Sequence, residues 1–325
     1  MNDLPCLICV DTGTTNTRVW LTIGEEIIAS ARASVGVRDT ARDGAPARLH
    51  EALRELIAQV RAEAPGSAPR AVLAAGMITS PLGLAEVPHV AAPAALSDLS
   101  AATQTHHFPH ITDLPVLLVP GVRSGPVQCD AETIGAADVM RGEETLCVGL
   151  HALGLLAPGA TLLNLGSHWK LIQLDDVAHI TASVTSLTGE LIHTTQTQTI
   201  LASAVPQTKP EKLDRHWLEA GMREQRQSGL ARALFCVRLL EQRAQSTPEG
   251  RLAFLLGVYL AADLDAWLRR GLLRQVVITG GGAIAEAWRN VLAASAIEVC
   301  LLDEAAVECG FLTGLRQIAD ACLKG

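Results

Sequence analysis

The sequence predicts an α/β protein of two domains, and three observations carry that reading. The chain has 325 residues, enough for two domains of ordinary size. Residues 5–23 and 160–174 each read as an apolar strand, a small polar turn and a returning strand. Gly280-Gly281-Gly282 forms a third turn, between a β-branched strand and a helix. The two openings share a pattern rather than residue identity.

Composition narrows the function. Apolar residues make up 49% and charged residues 18%, which supplies a large core and excludes global disorder. Aromatics are only 3%, so the core is built mostly from Ala, Leu, Val and Ile. The net charge of -8 argues against a nucleic acid or an acidic membrane surface as the main partner. A small anionic ligand remains compatible, because a few local donors can hold it. The apolar helical run Leu252 to Ala262 is too short to span a bilayer and reads as a buried core helix. MNDLPCLICV lacks the pattern of a secretory signal. The eight Cys are scattered, several in apolar runs, as in a reduced cytoplasmic protein. Cys6 and Cys9 form C-x-x-C within a β-like run, where i and i+3 point to opposite faces, so both are read as structural.

The elements follow in order. Leu7 to Val10 is a strand, residues 11–17 a turn, Arg18 to Ile23 a second strand and 26–34 a third. Leu49, Leu53, Leu56, Ile57 and Val60 recur at helical spacing within 46–64, and Pro65-Gly66 stops that helix. Arg70 to Ala75 is a strand, 79–97 an ordered loop, Leu114 to Pro120 a strand and 121–131 a polar loop. Glu132 to Met140 reads as a helix, with a further helix over Leu146 to Leu155. Pro158-Gly159 marks the boundary between an N-terminal domain (1–158) and a C-terminal domain (159–325). Strands at 160–165 and 169–174 are followed by a long helical stretch over 212–270, broken at Gly221, Gly229, Gly257 and Thr247-Pro248. A buried strand over 275–279, a helix over 285–294, a strand over 298–302 and a helix over 305–322 complete the chain. That last helix is free to pack back on the first domain.

The three turns carry the chemistry. In the first, Gly13 lets a phosphate approach the backbone without a Cβ in the way, Thr14, Thr15 and Thr17 add hydroxyls, and Asp11 can hold Mg²⁺ through water. An ordinary hairpin turn explains these residues equally well. In the second, Gly166 and Ser167 can donate to phosphate oxygens, His168 faces the same ligand, and Lys170 supplies a point charge. The third reads G-x-G-x-x-A from Gly280 to Ala285, with Asp303 after the next strand. This is a dinucleotide pattern, or a junction where an adenine ring lies flat. No Walker A sequence is present.

Together these turns resemble those of the sugar kinase, heat-shock protein 70 and actin superfamily. Within it the chain resembles the 2-dehydro-3-deoxygalactonokinase family. The resemblance rests on DTGTTNTRVW at 11–20, AGMITSPLG at 75–83, VPHVAAPA at 87–94, VMRGEET at 139–145, GSHWK at 166–170 and LTGEL at 187–191. VMRGEET with GSHWK is the most specific pair. Two departures stand out: Thr12 where the family usually has Trp, and Leu165-Gly166-Ser167-His168 where it usually has Pro-Gly-Thr-His.

The resemblance implies two ribonuclease H-like (actin-like ATPase) domains with an interdomain cleft. It implies Mg²⁺ and ATP, with the γ-phosphoryl group passing to the 6-hydroxyl of 2-dehydro-3-deoxy-D-galactonate. Gly13, Thr14 and Thr15 would face the phosphates from one domain, and Gly166, Ser167, His168 and Lys170 from the other. Gly280, Gly281 and Gly282 would meet the adenosine. Glu143 or Glu144 would serve as the base, with Glu143 favoured, although acids at a helix start are stabilising in their own right. The substrate carboxylate needs donors; Arg18, Ser80, His89 and Arg141 are the candidates, with Arg141 and Ser80 placed nearest the sugar. The partner is then a small sugar acid, not a nucleic acid or a membrane, with a homo-oligomer left open. Two other readings stand at this point: an NAD-dependent oxidoreductase using Gly280 to Ala285, and a non-catalytic sugar or nucleotide sensor on the same fold.

Overall fold

The computed structural model describes residues 5–322. The chain forms two compact units, the first comprising residues up to 158 with 174–183 and 307 onward, the second 159–173 and 184–306. The first unit thus regains two segments that lie beyond the boundary read from the sequence.

The first unit opens with β1 (Cys6–Thr12), β2 (Thr17–Ile23) and β3 (Glu26–Ala33). β1 and β2 are antiparallel, in a register that sets Asp11 opposite Arg18 and Thr12 opposite Thr17. Helices α1 (Val37–Asp43) and α2 (Ala47–Glu63) follow. Leu49, Leu53, Leu56, Ile57 and Val60 of α2 are buried and join Ile8, Val10, Val19 and Leu21 in one core. β4 (Val72–Gly76) lies parallel to β1. Then come β5 (Val90–Ala91), α3 (Leu96–Ala102), β6 (Gln104–His106), β7 (Val116–Leu118), β8 (Val122–Ser124), β9 (Asp138–Met140) and α4 (Glu143–Ala152). The main sheet runs β3-β2-β1-β4-β7-β6, with β5-β8-β9 as a small second sheet.

The helix expected over 132–140 does not form. A 3-10 turn at Ile134–Ala136 leads into β9, which pairs antiparallel with β8, itself inside the segment read as a polar loop. Val139 is exposed and Met140 buried, the alternation of a strand rather than of a helix. Gly142, at φ 103°, turns the chain sharply before α4, a conformation that glycine adopts without strain.

In the second unit, β10 (Thr161–Leu165) and β11 (Trp169–Leu174) form an antiparallel hairpin. β12 (Ile180–Ser186), α5 (Thr188–Gln198), α6 (Arg215–Ser228), α7 (Leu230–Arg243), α8 (Pro248–Arg269), β13 (Val276–Thr279), α9 (Gly282–Ala294) and β14 (Val299–Leu301) follow. The helical stretch is three helices; Gly221 and Gly257 lie inside α6 and α8 and do not break them. Gly229, at φ 78°, separates α6 from α7, and the Thr247 hydroxyl caps α8 by accepting the Gly250 N–H at 3.0 Å. α8 is buried on almost every side, the core helix that Leu252 to Ala262 predicted. Trp169, Trp267 and Trp288 meet within this core: Trp288 stacks on Trp267 at 5.0 Å and meets Trp169 edge-on at 5.5 Å. The few aromatics are thus concentrated where large side chains fill the space between sheet and helices.

The second sheet runs β12-β11-β10-β13-β14, with β13 parallel to β10 and to β14. It repeats the order β3-β2-β1-β4-β7 of the first. This duplicated mixed sheet is the ribonuclease H-like, actin-like ATPase architecture. Its antiparallel hairpin sets it apart from the parallel βαβ sheet of dinucleotide-binding domains.

The last helix, α10 (Glu304–Cys322), carries the chain back into the first unit. There Trp20 Nε1 donates to Glu308 Oε2 at 3.0 Å. α4 and α10 touch backbone to backbone, since a methyl group on Gly149 would stand 1.7 Å from the Gly310 carbonyl oxygen. Among the described residues, no helix is long and apolar enough to cross a membrane.

Candidate active site

In the first unit the site gathers at the carboxyl ends of β1 and β4. The β1–β2 turn closes with the Gly13 N–H donating to the Asn16 carbonyl at 2.8 Å. The start of α1 braces this turn: Val37 N–H and Arg38 N–H donate to the carbonyls of Gly13 and Thr14, at 3.3 and 2.9 Å. Gly36 makes the approach possible, because a methyl group there would lie 2.5 Å from the Thr14 carbonyl oxygen and 2.6 Å from that of Gly13. The Gly36 N–H is itself held by Asp39 Oδ2 at 3.0 Å.

Asp11 points out at the end of β1 and meets Arg18 Nη2 at 3.0 Å. Burial pushes the Asp11 carboxyl up, Arg18 pulls it back down, and the charge of Glu143 pushes it up again. Gly76 ends β4 with φ 87°. A methyl group there would stand 2.6 Å from the Thr12 carbonyl oxygen and 3.2 Å from Asp11 Oδ1, so only glycine lets β4 end this close to β1. Gly142 packs on Gly76 in turn; its own missing methyl would be 3.1 Å from the Gly76 Cα. The turn, Asp11 and the start of α4 therefore converge on Gly76.

The two acids at the start of α4 differ. Glu144 is fully buried and folds back so that the Gly142 N–H donates to both of its carboxylate oxygens at 2.8 Å. Thr145 Oγ1 donates to it at 3.2 Å. Burial and the neighbouring Glu143 charge push Glu144 up to about 7. Glu143 is only half-buried. Of the pair, Glu144 holds the helix start, and Glu143 makes no such clamp.

The sugar-facing candidates separate into two places. Arg18 sits on the β1–β2 hairpin, with its guanidinium 5.8 Å from the Trp20 ring centre. Ser80, His89 and Arg141 come together around the 77–90 loop. Arg141 donates to Thr79 Oγ1 at 2.8 Å and to the Val87 carbonyl at 2.9 Å, and lies 3.4 Å from His89 Nδ1. Burial lowers its pKa, while Glu144 and Glu86 oppose the shift. Ser80 is buried, and its hydroxyl donates to the Met77 carbonyl at 2.7 Å. Arg141 and Ser80 thus shape the loop.

The second unit repeats the device. Gly166, Ser167 and His168 form the β10–β11 turn, and Gly189 at the start of α5 plays the part of Gly36. A methyl group on Gly189 would lie 2.5 Å from the carbonyl oxygens of Gly166 and of Ser167. His168 Nε2 lies 3.5 Å from Glu190 Oε1. Lys170 is buried in β11, opposite Asn164. The glycine loop stands beside this turn. Gly280, at φ 111°, would bring a methyl group to 2.8 Å from the Leu165 carbonyl oxygen, and Thr279 Oγ1 donates to Asn164 Oδ1 at 2.9 Å. Gly166, Ser167 and His168 therefore share one sheet end with Gly280, Gly281 and Gly282. Asp303, the acid noted after the next strand in the dinucleotide pattern, accepts the Ala306 N–H at 2.7 Å and caps α10.

The glycines that build both turns, Gly36, Gly76, Gly142 and Gly189, were not picked out from the sequence. One signal was available: Gly36 follows Gly13 by 23 residues, and Gly189 follows Gly166 by 23.

A curated 2-dehydro-3-deoxygalactonokinase from Escherichia coli (strain K12) is 27% identical over 322 residues, which cover 97% of each chain. The crystal structure of a protein from Sinorhizobium meliloti assigned to the same activity superposes with a TM-score of 0.77. It is 24% identical, covers 97% of this chain and 98% of its own, and shows the shared fold. The profile of the 2-keto-3-deoxy-galactonokinase family matches residues 11–318, and the chain belongs to that family.

Proposed function

We propose that the protein transfers the γ-phosphoryl group of ATP to the 6-hydroxyl of 2-dehydro-3-deoxy-D-galactonate. One observation supports this above the others: a phosphate-type turn, the Asp11 carboxylate, Glu143 and the 77–90 loop all meet around Gly76. A sugar kinase needs phosphate donors, a group to orient the hydroxyl and a shaped sugar pocket, and little covalent chemistry besides.

In this reading Gly13, Thr14 and Thr15 present donors to phosphate oxygens from the first unit. Gly166, Ser167 and His168 offer donors of the same kind, beside Gly280, Gly281 and Gly282, which receive the adenosine. Glu143 accepts the proton of the 6-hydroxyl as its oxygen attacks the γ-phosphorus and ADP departs. Arg141 holds the 77–90 loop, and Ser80 and His89 line it, to set the sugar's position. Arg18 remains near the transferred charge. Asp11 suits Mg²⁺, a hard cation that takes carboxylate oxygen and keeps several waters. Bound there, Mg²⁺ would neutralise phosphate charge. The reading includes a cytoplasmic location, supported by eight free cysteines.

The test is a coupled assay for ADP release, with Mg-ATP against a panel of 2-keto-3-deoxy sugar acids. Turnover with the galactonate-derived acid is expected, and no turnover with any member overturns the proposal.

A further inference from the structure

The first turn of α5 is tied at three successive residues. Gly189 lies against the carbonyls of the Gly166–His168 turn, and Glu190 pairs with His168. Thr188 is tied the other way, toward α8. Its N–H donates to Ser186 Oγ at 3.1 Å, and Ser186 Oγ donates to Asp263 Oδ2 at 2.8 Å. The acid is therefore linked to the second turn by a short run of bonds through Ser186 and the helix start. Its neighbours on α8 are core residues, since Leu260, Ala261, Leu264 and Trp267 are all buried.

The corresponding place in the first unit is closed differently. There the acid that fixes the helix start is Asp39, within α1 itself, and it is also paired with Arg42 and Arg48 on the surface. The second unit takes its acid from a distant core helix. Burial pushes the Asp263 carboxyl up, with the Thr188 and Ser186 bonds opposing. An acid kept at such a cost has a task, and fixing the direction of α5 is the task the bonds describe.

We propose that Asp263 is a positioning residue for ATP. Through Ser186 and the first turn of α5 it fixes the Gly166–His168 turn in the conformation that receives phosphate. The inference rests on the kinase reading for the identity of the ligand. Its structural half concerns the unliganded chain alone. Small displacements of a positioning element cost large factors in rate or affinity, so the network need not touch the ligand to matter.

The test compares Asp263→Ala, Asp263→Asn and Ser186→Ala in the full chain. Asp263→Ala and Ser186→Ala should each raise the KM for ATP about tenfold and leave the KM for the sugar acid unchanged. Asp263→Asn keeps an oxygen that accepts from Ser186 and should stay close to the unmodified protein. An unchanged KM for ATP in Ser186→Ala overturns the proposal, as does an equal rise in both KM values. Should Asp263→Ala fail to fold, Ser186→Ala decides. A second readout is independent of turnover. The imidazole Hε1 resonance of His168, assigned with His168→Gln, should shift in Ser186→Ala without any ligand; an unmoved resonance overturns the positioning role. If the unmodified protein shows no kinase activity but that resonance moves, the kinase reading fails and the positioning role stands.

Discussion

The Gly142 N–H donates to both oxygens of the Glu144 carboxylate, at 2.8 Å each. This clamp turns one of two adjacent acids into a structural part of the α4 start, and the proposed base is its neighbour, Glu143. Glu143→Gln should lower kcat by about 10²- to 10⁴-fold, the usual worth of a general base, with unfolding unchanged. Glu144→Gln should keep turnover and lower stability instead. Steady-state kinetics beside urea unfolding check both; a silent Glu143→Gln would remove the base from Glu143.

The same clamp makes a pH prediction. Glu144 titrates near 7 in the folded protein, above its ordinary value of 4.5, so the folded state holds a proton that the unfolded state has lost between these values. The contribution of Glu144 therefore falls as pH rises from about 4.5 to 7, by on the order of 3 kcal/mol. Glu144→Gln lacks this slope. Urea unfolding at pH 5 and pH 7.5 should show the variant gaining on the unmodified protein at the higher pH.

Gly36 and Gly189 permit contacts that no other residue allows. Adding a methyl group at either, 2.5 Å from a carbonyl oxygen, forces the turn and helix apart. Gly36→Ala and Gly189→Ala should each cost about 1–3 kcal/mol and raise the KM for ATP. Calorimetry and ATP titration measure the two effects.

Arg141 grips Thr79 and Val87 through two nitrogens of one guanidinium. Arg141→Ala should raise the KM for the sugar acid about tenfold or more, with little change for ATP. Arg141→Lys should not restore it, because an ammonium cannot span both partners as the planar fork does. Equal losses for both substrates would argue that the loop serves the whole unit.

Much of this was legible in the sequence, and the rest was hidden for definable reasons. The β1–β2 and β10–β11 hairpins, helix α2 and the core helix α8 announce themselves through period and punctuation. β9 did not, because a three-residue strand beside a 3-10 turn is too short to show a period. The acids Glu143 and Glu144 look alike in sequence; only the backbone reversal at Gly142 separates them. Arg141 and Ser80 read as lying near the sugar, and their bonds to Thr79, Val87 and Met77 are contacts set by a loop path that local pattern does not encode. Gly36 and Gly189 contribute by lacking a side chain, and such a role shows only when the neighbouring carbonyls are seen.

Because residues 307 onward belong with the opening hairpins, the first unit has an unusual dependence on biosynthesis. Its β-sheet leaves the ribosome early, but Trp20 waits for Glu308 and Gly149 for Gly310. The second unit, nearly continuous in sequence, has all its own parts sooner. Vectorial synthesis here supplies every part of the later module before the last part of the opening one, against the usual order.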